Sequence, residues 1–114
     1  MDYLKRIIRL DPFHTPACLT FLGNAYYQTG RYADALESLR AAARRLPTFR
    51  PTYVWLAAAA AQLGYVKEAQ DAAAKVLRRD PAFTIRKWLE MHQFAKQADA
   101  DRMAEGLRKA LLPE

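Results

Sequence analysis

Residue types that could do chemistry are thinly spread along this chain. His14 and His92 are the only histidines; they lie far apart and do not form the i,i+4 pair that seats a metal on one helical face. Cys18 is the single cysteine, so neither an internal disulfide nor a thiolate zinc site can be built. It falls early in a helical stretch without an obvious cationic neighbour, and a small packed residue is the plain expectation rather than a reactive thiol. The four glycines are scattered singly, which excludes a glycine-rich phosphate loop. No catalytic residue, metal ligand or cofactor is expected, and the chemistry that remains is that of binding.

Charge is the first candidate for binding. The chain carries a formal charge of +6, and its cations gather as Arg40, Arg44, Arg45 and again as Lys75, Arg78, Arg79. Asp34, Glu37 and Glu68, Asp71 precede them. Acids at the start and bases at the end of a helix complement its dipole, at about 0.3–1 kcal/mol per exposed charge. Solvated helix ends therefore account for the clusters. Single-strand binders interleave stacking aromatics with such cations, and these clusters have none, so nucleic acid is disfavoured.

The elements that must position any site follow from self-similarity. Gly30 and Gly64, Ala35 and Ala69, Pro47 and Pro81 are each separated by 34 residues. Ala and Leu dominate over β-branched residues, and 52% of the chain is hydrophobic, which favours helices with a continuous core. Gly30 and Gly64 should end the first helix of each pair in a left-handed conformation. Tyr32 and Val66 should restart the second, and Pro47 and Pro81 should stop it. Small residues at Gly23, Ala57, Ala35 and Ala69 let paired helices approach closely. The first unit reads Leu19-x2-Leu22-Gly23-x2-Tyr26, Ala35-x3-Leu39, Pro47. The second reads Tyr53-x2-Leu56-Ala57-x2-Ala60, Ala69-x3-Ala73, Pro81.

This pattern resembles the tetratricopeptide repeat, most closely in GNAYYQTGRYADALESL. The resemblance implies an all-α fold of antiparallel helix pairs stacked as a short solenoid, a role in protein–protein interaction, and a concave surface lined by first helices. Register places Phe21, Trp55 and Leu89 in one row of that groove, Asn24, Ala58 and His92 in the next, and Gln28, Gln62 and Lys96 in a third. Two placements stay open for Trp55 and Trp88: as exposed anchors, or packed between units or beneath the C-terminal helix. Some family members grip a peptide carboxylate here. Asn24 matches one such grip, but Thr20 stands where a lysine is needed, and Trp55 and Leu89 occupy polar positions, which speaks against that mode.

The remaining segments divide as 1–12, the second helix of a truncated repeat; 13–47 and 48–81, two full units; and 82–114, C-terminal capping helices. Thr84 can cap one of these and Asp99 another. Ala100, Met103, Ala104, Leu107 and Leu111 form the apolar stripe of the last helix, opposite charged residues, as a solenoid end requires. The first segment carries Leu4, Ile7 and Ile8, a candidate dimer face if its partner helix is missing. No stretch reads as a membrane span or a signal peptide, and a cytoplasmic setting is expected. The order IRLDPF, GNAYYQTGRYADAL, VLRRDPAFTIRKWLE, AEGLRKALLPE is also similar to the C-terminal tails of bacterial signalling proteins with a class III nucleotidyl cyclase or winged-helix domain. That similarity implies an interaction or regulatory tail binding a protein, a peptide or another domain of its own parent. A dimerisation scaffold and a nucleic-acid-binding repeat are the alternatives.

Overall fold

The computed structural model describes residues 16–91 and 97–114. Among them are six helices and no strand: α1 (Pro16–Gln28), α2 (Tyr32–Arg45), α3 (Arg50–Gln62), α4 (Val66–Arg79), α5 (Ile85–Met91) and α6 (Gln97–Lys109). The segment with Leu4, Ile7 and Ile8 lies outside the described residues, as do His14, His92 and Lys96.

Local chemistry sets the helix bounds. Gly30 and Gly64 take φ of 79° and 82°, the left-handed region that costs glycine nothing. At the first turn the amides of Gly30 and Arg31 donate to Tyr27 and Tyr26 carbonyls at 3.0 and 2.9 Å. At the second, Gly64 and Tyr65 repeat the pattern on Ala61 and Ala60 at 3.1 and 2.9 Å. These are Schellman caps, which satisfy the carbonyls a helix end would otherwise orphan. α2 and α4 then start at Tyr32 and Val66 and end just before Leu46-Pro47 and Asp80-Pro81. Pro51 sits in the first turn of α3, where its missing N–H costs no helical bond.

The helices pack as two antiparallel pairs, α1 with α2 and α3 with α4, and the pairs stack through α2 on α3 and α1 beside α3. A Cβ added at Gly23 would lie 2.6 Å from Leu39 Cγ, so this glycine sets the α1–α2 separation. α2 and α4 each bury one stripe: Ala35, Leu36, Leu39, Ala42 and Ala69, Ala72, Ala73, Val76. α3 is central and buried on every side from Thr52 to Ala61. Its run of alanines, Ala57–Ala61, makes a smooth rod on which neighbours lie close. Full burial of side chains such as Leu36 and Leu39 contributes about 1.5–3 kcal/mol each.

The C-terminal hairpin departs from simple stacking. α5 makes no close approach to α4; it packs with α6, and α6 lies against α3 and reaches α1. Thr84 caps α5 by accepting the Lys87 amide at 3.1 Å. Further caps come from the end of the chain, where Pro113 and Glu114 carbonyls accept the Ile85 and Arg86 amides at 2.8 and 3.2 Å. Asp99 is not the residue before α6, as its spacing suggested, but stands inside the first turn, because the helix already begins at Gln97. There it pairs with Arg102 at 3.7 Å and still complements the dipole.

Candidate functional site

The inner face of α1 and α3 is where register places the groove rows, and the structure separates them into two kinds. Phe21 remains 52% exposed, and Asn24 beside it is half-buried. Trp55 is only 3% exposed and Ala58 is fully buried. Of the two placements left open for Trp55, the structure shows the covered one. Its ring stands edge-on to Tyr27 at 5.6 Å and to Trp88 at 6.3 Å between centroids. These rings extend to Tyr32 and Phe83, so an aromatic chain crosses both units and joins α5 to them. Leu89 is half-buried on α5; its row-mate His92 lies outside the described residues.

What covers Ala58 is α6. Gly106 sits so close that a Cβ there would lie 3.0 Å from Ala58 Cβ and 3.1 Å from the Ala58 carbonyl oxygen, and would collide with the Tyr27 hydroxyl. The absence of a side chain lets Tyr27 reach the helix backbone. Tyr27 Oη donates to the Arg102 carbonyl at 2.6 Å. Gln62 Nε2 donates to Tyr27 Oη at 3.2 Å and to the same carbonyl at 3.4 Å. In return Arg102 Nη1 donates to the Gln28 carbonyl at 2.6 Å, and Lys109 Nζ donates to Gln62 Oε1 at 3.0 Å. Burial pushes the Tyr27 hydroxyl well above the ordinary tyrosine value, against the opposing pull of the Gln62 hydrogen bond. Tyr27 is thus a fixed neutral donor aimed at a main-chain carbonyl.

Gln28 and Gln62, named from register, belong to this seam. Tyr27, Arg102 and Gly106 belong to it as well and were missed. A signal for two of them existed. Tyr27 follows Asn24 by three positions and so shares its face, and Gly106 is a glycine inside a helix, where only close approach rewards it. Thr20, at the position of the absent lysine, is 1% exposed and bonds Thr52 Oγ1 at 2.7 Å. It faces α3 and cannot meet a ligand.

Of the basic clusters, Arg40, Lys75 and Arg79 make local contacts. Arg40 forms a two-pronged pair with Glu68 across α2 and α4, with Nε 2.8 Å from Oε2, and this holds the Glu68 carboxyl below its usual range. Lys75 and Arg79 lie over the Tyr53 ring at 5.1 and 5.2 Å, and Arg50 pairs with Asp80 at 3.6 Å. Cys18 is half-buried. Among the described residues no three His, Cys, Asp or Glu side chains gather where they could hold a metal, and no helix is long and apolar enough to cross a membrane.

Comparison with known proteins agrees with this architecture. The tetratricopeptide repeat matches residues 16–49 and again residues 51–83, which takes in α1–α2 and α3–α4 as the two units. A relative is the human Protein O-mannosyl-transferase TMTC1 (Homo sapiens), 29% identical over 110 residues. The match covers 96% of this chain and 12% of that much longer protein. With the 34-residue period, the paired helices, the glycine caps and two matched units, the chain belongs to the tetratricopeptide repeat family.

Proposed function

We propose that the chain is a protein–protein interaction module without catalytic activity of its own, and that its binding surface is the inner face of α1 and α3. Tetratricopeptide repeats are a scaffold for protein interaction. The observation that carries the choice of face is the open part of the α1 row, where Phe21 is 52% exposed and Asn24, three residues on, is half-buried. An aromatic ring held on a rigid helix beside a polar group has the composition of an interface anchor. The finer setting, the regulatory tail of a cyclase-type bacterial signalling protein in the cytoplasm, rests on the order of segments ending in AEGLRKALLPE. The relative points to another setting, a short stretch within a large transferase. Both make the module an accessory to chemistry done elsewhere.

Photo-cross-linking from single positions tests the face. A photoreactive residue at Phe21 should give a discrete adduct in the native extract, and the same group at Ala74, exposed on outer helix α4, should not. Asn24→Arg added to the Phe21 probe should abolish the adduct. Equal labelling from both positions would remove the inner face as the binding surface.

A further inference from the structure

α6 lies on the inner face where register places the groove rows. In a stacked array the helix following α5 would continue the outer row beside α4. Here α6 instead contacts α3, α1 and α5 and does not approach α4. Its seat is the inner face on which the interaction reading rests, and the mode of holding is that of an amphipathic helix in a groove. Met103, Ala104, Leu107 and Ala110 face inward and are almost fully buried. Asp101, Glu105, Arg108 and Lys109 face water.

The seam itself differs from a sealed core. It contains Tyr27, Gln62, Arg102 and Lys109 in hydrogen bonds. It also contains Gln28, whose Oε1 is buried without a hydrogen-bond partner among the described residues. Surfaces that join and part tolerate polar groups that a permanent core avoids. α6, with a largely charged outer face, remains compatible with water when it leaves. The floor it exposes includes Ala58 and the Tyr27 ring, both buried while α6 is seated, and must be covered again by something of matching shape.

Resting on that interaction reading, we propose that α6 is the groove's ligand in cis, and that the module's partner is an amphipathic helix of the α6 pattern which enters by displacing it. The pattern follows from the contacts. A glycine must lie over Ala58, because any Cβ there meets Ala58 and the Tyr27 hydroxyl. An arginine four residues earlier reaches the Gln28 carbonyl, and its own carbonyl accepts from Tyr27. A lysine three residues later reaches Gln62. Apolar residues stand three before, one after and four after the glycine, at the places of Met103, Leu107 and Ala110. A helix with a bulky central residue is excluded by collision, which gives the groove selectivity.

Hydrogen exchange on the intact wild-type chain is the first test. Amides of Met103–Ala110 should open at least about tenfold more often than those of Val54–Ala60, as a unit that leaves while the repeats stay folded. Equal opening of both sets, at the rate of global unfolding, would overturn the proposal. The second test uses a fluorescein-labelled peptide of residues 97–114 as the probe. Gly106→Leu in the full chain drives α6 off its seat and should bind the peptide at least about tenfold tighter than wild type, whose tethered α6 competes at roughly millimolar effective concentration. The peptide carrying its own Gly106→Leu should not bind. If Gly106→Leu lacks a cooperative helical melt, Arg102→Ala/Lys109→Ala replaces it, since it removes two clamps and adds no clash. Absence of peptide binding by the folded variant would overturn the proposal. Peptide binding without a cross-link from Phe21 would leave this inference standing and take Phe21 and Asn24 out of the binding surface; a cross-link without peptide binding would overturn this inference and leave the broader reading standing.

Discussion

Leu111, expected on the apolar stripe of the last helix, instead lies past the end of α6 and takes φ of 65° while 71% exposed. Its amide and that of Leu112 donate to Arg108 and Leu107 at 2.9 and 3.2 Å, which is the same cap that Gly30 and Gly64 make on α1 and α3. Two helices end on glycine and the third on a branched residue whose Cβ crowds the following carbonyl, at about 1–2 kcal/mol. Leu111→Gly should therefore raise stability by about 1 kcal/mol, after the glycine's larger unfolded entropy is allowed for. Urea midpoints of the two proteins test this, and an unchanged or lowered midpoint would show that the Leu111 side chain contributes packing that offsets its strain. Tyr27 gives a second test. Its folded pKa lies above the unfolded value of about 10, because burial disfavours the phenolate. Its stabilising contribution is fully present below about pH 10 and is lost as pH rises toward the folded value, since only the unfolded chain releases that proton. The fall in urea midpoint above pH 10 should be shallower in Tyr27→Phe than in wild type, and parallel curves would place the titration elsewhere.

At the scale of elements, α1 and α3 meet through a buried pair of threonines, Thr20 and Thr52, with hydroxyls 2.7 Å apart. Removing one hydroxyl strands the other where water cannot reach, at about 1–3 kcal/mol, whereas removing both leaves two apolar groups of the same shape. Thr52→Val alone should cost more than Thr20→Val/Thr52→Val together, and chemical denaturation of the three variants measures the coupling. A double variant that loses the sum of both singles would mean that the contact is not shared. This contact also marks the limit of sequence reading. The 34-residue period, Gly30, Gly64, Pro47 and Pro81 made the four repeat helices legible, because each acts on the backbone at its own position. The same register placed Phe21, Gln28, Trp55, Ala58 and Gln62 on the inner face. It could not tell which of them stay open, since that depends on where α6 goes. The direction of α6 is set by Gly106 meeting Ala58 and by Arg102 meeting Gln28, contacts between distant positions that leave no local period. The Thr20–Thr52 pair lies off the 34-residue register for the same reason: it joins facing positions of neighbouring helices rather than equivalent ones.

The whole molecule divides into two parts with unequal ties. α1–α4 form a stack in which each helix touches its neighbours along its length, and the stability of such an array is carried by adjacent interfaces. α5 and α6 are tied to each other, to the inner face of α3 and α1, and to the end of the chain through the Pro113 and Glu114 carbonyls, but not to α4. Weakening the α6 seam should thus release the hairpin while the stack stays paired. Both tryptophans report that event. Trp88 is on α5, and Trp55 faces it edge-on at 6.3 Å with 3% exposure. When the hairpin leaves, Trp88 moves to water and Trp55 loses its cover, yet only α5 and α6 are removed from the paired helical structure. Under urea, tryptophan emission should shift to the red at a lower midpoint than the far-ultraviolet circular dichroism signal of the stack. The dichroism curve should show an early partial loss followed by the main transition. Two probes that follow different curves break two-state behaviour by its own criterion. Coincident midpoints at every temperature tried would show instead that the aromatic chain from Tyr32 to Phe83 welds hairpin and repeats into one cooperative unit.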